Sequence, residues 1–380
     1  MPNFSGKWTL TEQAQGAAAG TWPLRFDYQL YAWGDNASGQ LGVNNRTDRN
    51  SPVQVGSLSW SQISAGKDHN ASILSDGTLW TWGDGNQGRL GHNSEIFRSS
   101  PTQVGALTTW SQASASQSDF TAAIKTDGTL WTWGEGLTGR LGQNSIVDRS
   151  SPVQVGSLTD WFQVSAGNLH AAAVKTDGTL WIWGQGNDGR LGQNDNFINR
   201  SSPVQVGSLA TWSRVSAGGS HTLAVKTDGT LWSWGNADEG RLGHNNIIKR
   251  SSPVQVGALT NWSDVEATLN HSVALKTDGT LWTWGSGSNG RLGDNAVVNR
   301  SSPVQVGALT TWSKIAGGSN FTGAVKTDGT LWTWGDNGQG QLGQSLSTTI
   351  DRSSPVQVGS LTNWSQVSMG YQHTIATIKA

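Results

Sequence analysis

The chain is 380 residues long, carries a formal net charge of −1 and contains no cysteine. Near-neutrality removes the long-range field that would gather nucleic acid or anionic membrane, and zero Cys excludes disulfides, thiolate zinc sites and thiol nucleophiles. Only 13% of residues are charged, against about a quarter in ordinary soluble domains, while Gly (50) and Trp (22) are abundant and no stretch approaches a membrane span.

Residues 1–24 stand outside the pattern that follows. Thr9 to Glu12 fits a capping box, Gln13 to Ala19 are helix formers and Gly20 is a stop, so one short helix is expected, with Trp8 and Trp22 beside it. A helix so short is marginal unless those indoles pack on the rest of the chain or on a partner, which makes Trp8 and Trp22 candidate tether residues. The tract Gly6-Lys-Trp-Thr-Leu-Thr-Glu-Gln13, followed by Gly20-Thr-Trp-Pro23, resembles a short N-terminal segment of bacteriophage structural proteins. That resemblance implies attachment to a particle. No basic region followed by an apolar core marks an export signal.

From Arg25 the chain repeats at a spacing of roughly fifty residues. Lys-Thr-Asp-Gly-Thr-Leu-Trp-Thr-Trp-Gly, plainest at Lys125 to Gly134, predicts a hairpin in which Asp-Gly makes a tight two-residue turn and Leu-Trp-Thr-Trp opens a strand. Its Trp-Gly step falls seven times, at Trp33, Trp82, Trp133, Trp183, Trp234, Trp284 and Trp334. A second Trp marker also falls seven times, at Trp60, Trp110, Trp161, Trp212, Trp262, Trp312 and Trp364. Each unit offers four short strands, which is the content of a propeller blade. The chain starts in mid-unit, with Asp27 to Gly34 aligned on Asp177 to Gly184, and ends at Ala380 near the same turn. Strands around Val367 and Ile375 are therefore expected to pair with those around Tyr31 and Val53, sealing the ring and removing its open edges. The expectation is an all-β, seven-bladed β-propeller of four-stranded blades over residues 25–380, closed in one shared blade and preceded by a short helical segment.

The unit from His221 to Gly243, followed by Ser-Ser-Pro-Val-Gln-Val, resembles the regulator of chromosome condensation repeat, and the likeness runs through nearly all of residues 25–380. The resemblance implies the same seven-bladed fold with a shared terminal blade. The family's founding member is a nucleotide exchange factor for a small GTPase that also binds chromatin; relatives include a plant ultraviolet photoreceptor and ubiquitin-ligase accessory domains. This chain departs from those activities. Its Trp-Gly-to-Pro segments differ by at most two residues, so no exchange wedge stands out, no Trp occupies the loops before the repeat His, and there is no basic tail.

Gly83-x-Gly85-x-x-Gly88 and its copies at Gly134, Gly184 and Gly285 spell a dinucleotide fingerprint, but they follow a repeated strand and run into Arg-Leu-Gly rather than opening a helix. They are expected to be turns. The position holding His69, Phe120, His170, His221, His271, Phe321 and His373 accepts Phe twice and lacks a carboxylate partner at fixed spacing. That favours a packed ring with a hydrogen bond to backbone over a metal site. Most Trp residues are expected between blades rather than on sugar-stacking platforms. Arg89, Arg140, Arg190, Arg241 and Arg291 precede Leu-Gly in loops that share one rim. Either they fasten loop carbonyls and acidic neighbours or they form a rim that contacts a partner. The tips of the same loops carry Phe97, Phe197, Ile248 and Val298, which either cover the outer strand or offer an apolar contact surface.

Nothing in the sequence reads as catalytic, and no cofactor is implied. The sequence favours a non-enzymatic binding or structural module of a virion, in the tail, fibre or capsid decoration, that contacts virion proteins or a host-surface receptor, glycan included, without nucleic acid or membrane insertion. The alternative is a cellular, cytoplasmic propeller scaffold or small-GTPase regulator.

Overall fold

The computed structural model describes residues 27–345 and 350–380. The helix expected between Thr9 and Gly20, and with it Trp8 and Trp22, lies outside the described residues. The described residues form seven four-stranded antiparallel sheets arranged as blades. In one blade the strands run outward in chain order as Trp161–Ala166, His170–Lys175, Leu180–Gly184 and Arg200–Gln205. Innermost strands of neighbouring blades touch one another around the axis. The terminal blade is assembled from both ends of the chain, in the order Arg49–Gln54, Tyr28–Gly34, His373–Lys379, Trp364–Met369. Its register pairs Tyr31 with Ala376 and with Gln54, as the phase of the sequence requires.

Each outermost strand carries the repeat's Pro, from Pro52 to Pro355, at an irregularity in its register with the third strand. A Pro there denies a hydrogen-bond donor to any chain that would extend the sheet, which suits the one strand of each blade left as an edge.

The hairpin turn differs from the two-residue form the sequence predicts. Gly128 N–H donates to the Lys125 carbonyl at 2.9 Å and Lys125 N–H to the Thr129 carbonyl at 3.0 Å, so three residues form the loop. Only Gly128 has a positive φ, +76°. Asp127 keeps an ordinary backbone because its carboxylate accepts from both the Thr129 N–H (2.9 Å) and the Thr129 hydroxyl (2.6 Å), an Asx turn that fixes the bend. Those bonds hold its pKa below the usual carboxylate value. Thr129 Oγ1 then accepts the indole N–H of Trp131 at 2.8 Å.

The core sits between blades. One apolar cluster joins Phe120, Ile124 and Leu130 of one blade to Trp161, Val164 and Trp183 of the next. Trp161 meets Trp181 and Trp183 edge to face, with ring centroids 6.1 and 6.3 Å apart. Lys175 lays its ammonium 4.4 Å from the Trp181 centroid, a cation–π contact that caps the trio. Of the two indoles in Leu-Trp-x-Trp-Gly, the second is buried and the first only partly so.

The second indole is also the fastener. Trp183 Nε1 donates to the Arg140 carbonyl of the preceding blade at 2.9 Å, and the same bond recurs at all seven interfaces, closing with Trp33 to Gln341 at 2.9 Å. The glycine two residues after each of these carbonyls makes room: a Cβ on Gly142 would lie 2.8 Å from Trp183 Nε1. At Arg190 the carbonyl also accepts from Thr222 Oγ1 (3.0 Å), whereas Ala171 stands at the corresponding place opposite Arg140. Trp183→Phe, which leaves the Arg140 carbonyl without that donor, should therefore cost about 1–3 kcal/mol. Trp234→Phe should cost less, because Thr222 still donates to Arg190. Urea midpoints of the two variants check the order, and equal midpoints would remove the indole bond from the account.

Candidate interaction rims

The strands alternate in direction, so the Trp-Gly-to-Pro loops and the loops before the repeat His share one rim. The Asp-Gly turns and the loops entering each innermost strand share the other. Structure sorts the residues of the first rim into two groups, one buried and one exposed.

The five arginines belong to the buried group, at 3, 2, 3, 6 and 4% exposure for Arg89, Arg140, Arg190, Arg241 and Arg291. Each Nε donates to the carbonyl three residues back, at 2.9–3.0 Å. The rest of the fork reaches the next blade or its own loop. Arg89 pairs with Asp119 (2.5 Å) and Asp84 (3.3 Å), Arg140 with Glu135, and Arg190 and Arg241 donate to the Gly219 and Leu269 carbonyls at 3.1 and 3.0 Å. Burial lowers the pKa of Arg140, Arg190 and Arg241, and neighbouring carboxylates push back. These five candidate rim residues act as loop fasteners instead: most of their donors are spent inside the ring, with Arg291 Nη1 a buried exception. Where Gln40 replaces Arg, its amide donates to Asp35 at 2.7 Å.

The glycine-rich letters form three-residue turns, Asn187–Gly189 in one copy, with no helix for a phosphate to cap. Asp188 sits there at φ 61°, and Asn194, at φ 60°, donates its N–H to the Ser251 carbonyl of the next blade at 2.7 Å. These loops thus brace neighbouring outer strands, a role that the variable spelling conceals.

The repeat His rings are buried, but their partner is a side chain of the next blade rather than backbone. His170 Nε2 lies 2.9 Å from Thr222 Oγ1, and Thr222 gives its own proton to Arg190, so the imidazole is assigned as the Nε2–H donor. Equivalent bonds join His69 to Thr121, His221 to Ser272, His271 to Thr322 and His373 to Asn70. Phe120 faces Ala171, so donor and acceptor are absent together there. Among the described residues no three His, Asp or Glu side chains are grouped to hold a metal ion, and no helix is long and apolar enough to cross a membrane.

The exposed group is the loop tips. Phe197 is 79% exposed, and Ile146, Ile247, Ile248, Val297 and Val298 are between 51% and 67% exposed. They do not cover their own outer strands. Phe97 is the exception, half-buried with the Arg46 guanidinium 5.0 Å over its ring. The opposite rim carries an apolar ring that sequence reading missed: one Leu per blade, from Leu58 to Leu361, 40–50% exposed. Its sevenfold Gly-x-Leu spelling is in the sequence, but nothing there says on which side of the ring it lies.

Exposed loops on a self-closed ring of blades define a propeller-type platform. The chain belongs to the RCC1-like domain family, whose profile matches residues 148–380, and the regulator of chromosome condensation (RCC1) repeat matches residues 27–73 and 76–124. It is similar to the E3 ubiquitin-protein ligase HERC2 of Homo sapiens, 31% identical over 229 residues, which are 58% of this chain and 5% of that protein. The ultraviolet-B receptor UVR8 of Arabidopsis thaliana is 33% identical over 224 residues, 57% of this chain and 50% of the receptor. The chain thus spans half or less of the length of these two relatives. Human WBSCR16 shares the fold with a TM-score of 0.82 at 21% identity, over 93% of this chain and 99% of that one. Prp20p of Saccharomyces cerevisiae does so with 0.83 at 19%, over 93% and 92%.

The buried imidazoles make stability fall in acid. Burial drives the pKa of His69, His170, His221 and His271 well below the ordinary imidazole value and that of His373 to about 3. An unfolded imidazole binds its proton near ~6.5, so the contribution of neutral His373 is complete above that pH and is lost as pH falls from there toward the folded value. His373→Phe should flatten the acid limb of the stability–pH curve while lowering stability at pH 7, because Asn70 Oδ1 loses its donor. An acid limb of unchanged slope would show that His373 is charged in the fold.

Proposed function

We propose that the chain is a rigid, non-enzymatic protein-binding scaffold of the cell that works through the apolar tips of its Trp-Gly-to-Pro loops. The observation that carries this is the exposure of Phe197, Ile248 and Val298 on loops whose bases are locked by buried arginines. Exposed apolar side chains on a braced frame lose little freedom on binding, and clusters of them mark contact surfaces. The solved structure of Prp20p is described with its binding to Gsp1p and histones, and another as Kap60 bound to yeast RCC1 (Prp20). Those fold relatives support a protein as the partner here. Human and plant relatives also support a cellular setting better than a virion, a reading that rests on residues 1–24. Regulation of a small GTPase is the particular form of this scaffold reading.

A combined Phe197→Ser, Ile248→Ser and Val298→Ser variant should keep the wild-type melting temperature, as surface changes away from structural features do. It should lose the protein that the wild-type ring retains in quantitative affinity capture from cell extract. Equal retention by both forms would sink the crown as the contact surface. Release of a fluorescent guanine nucleotide from a panel of small GTPases tests the particular form; no acceleration by the ring removes it and leaves the scaffold.

A further inference from the structure

One place in the ring departs from its own repeat. The residue after each innermost-strand Trp is Ser in six blades and Phe162 in the seventh. Five of those Ser hydroxyls donate to a carbonyl of the second strand at 3.0–3.1 Å, as Ser213 does to Val225. Phe162 can make no such bond and is 57% exposed. One residue further along, the repeat places Gln, whose amide clasps the next blade: Gln163 both donates to the Val215 carbonyl and accepts from the Val215 N–H, at 3.0 Å each. Four blades keep that Gln; in the blade after Phe162 Arg214 takes its place, as Asp264 and Lys314 do in the two blades beyond, and Arg214 is exposed with one hydrogen bond, a 3.4 Å contact with the Ser213 carbonyl.

Both departures line the same cavity, about 670 Å³ on the Asp-Gly-turn face. Its other charged walls are already engaged. Lys175 lies over Trp181 and 3.4 Å from Asp160, and Asp177 is held by Thr179. Among the described residues Arg214 makes no ion pair, Asp264 of the next blade feeling its charge only at longer range, so its exposed guanidinium stays open to a ligand. One serine bond and the two bonds of a glutamine clasp are given up side by side, and an open aromatic face and a guanidinium fork take their place. The aromatic change occurs in this blade alone, and with Arg214 beside it the cavity suits a ligand that is apolar at one point and anionic at the next.

We infer that this cavity seats an acidic peptide segment of a partner protein, in which a carboxylate lies within a few residues of an aliphatic or aromatic side chain. The carboxylate pairs with Arg214, whose planar fork matches it, and the apolar side chain packs on Phe162 beside Ala210. The face is opposite to the loop crown, so this contact is additional to the one proposed above.

The test uses repairs to the repeat's own residues. Phe162→Ser restores what the other six blades carry and Arg214→Gln what four of them carry, so both variants should fold and melt at or above the wild-type temperature. The probe is an array of fluorescein-labelled Gly/Ser peptides carrying one Asp or Glu one to three residues from a Leu, Phe or Trp, each with a matched copy in which Lys replaces the acid. Wild-type protein should bind acidic members and not their Lys copies. Each repair should weaken binding by roughly tenfold, and the binding lost in Arg214→Gln should be the salt-sensitive part. The proposal is overturned if acidic peptides bind no better than their Lys copies, if the repairs bind as well as wild type, or if either repair melts several degrees lower.

Discussion

The ring depends on one hydrogen bond, made seven times: an indole N–H of each blade to the carbonyl of the residue before Leu-Gly in the blade behind it. A buried carbonyl needs a donor, and a buried indole needs an acceptor; here each solves the other's problem across the joint where the apolar cores meet. Other regularities follow from it. The glycine two residues on must lack a Cβ, the preceding side chain must turn away and be anchored, and Arg does so through its own loop's carbonyl. The Thr–His pair adds a second layer around the same oxygen.

Much of this architecture is legible in the letters. Seven evenly spaced Trp-Gly steps, four strand-like segments per unit and the split of one unit between the termini specify the blades, their number and the closure. What the letters do not carry is direction in space. Arg89 and its copies read equally well as rim or as fasteners, because a guanidinium's burial is set by whether loop carbonyls surround it, and that is a three-dimensional property. The turn at Asp127 misleads for a related reason: Asp-Gly usually marks a two-residue bend, but Thr129 supplies two bonds to the carboxylate that favour a longer one. The letters suggest backbone partners for the His rings, whereas the hydroxyl that receives His170 sits 52 residues away in the next blade.

Function separates from architecture along the same line. Most residues that repeat with fixed identity are consumed in holding blades together, the half-exposed ring from Leu58 to Leu361 apart. Those that vary, at Phe197 and Ile248 on one rim and at Phe162 and Arg214 near the other, are left facing outward. The platform can therefore change what it contacts without changing how it stands.

The shared blade has a consequence for how the molecule is made. Tyr28–Gly34 pairs with His373–Lys379, so a strand near the start of the chain completes its sheet with one at the very end. Ribosomal synthesis delivers the other blades in order, each able to dock on its predecessor through local contacts. The first strand must wait through all of them with an unpaired side, and the last indole bond, from Trp33 to the Gln341 carbonyl, can form only then. Long-range pairing of this kind is the slow step in folding, so the ring's assembly time is set by a single late closure, while its six internal joints form along the way.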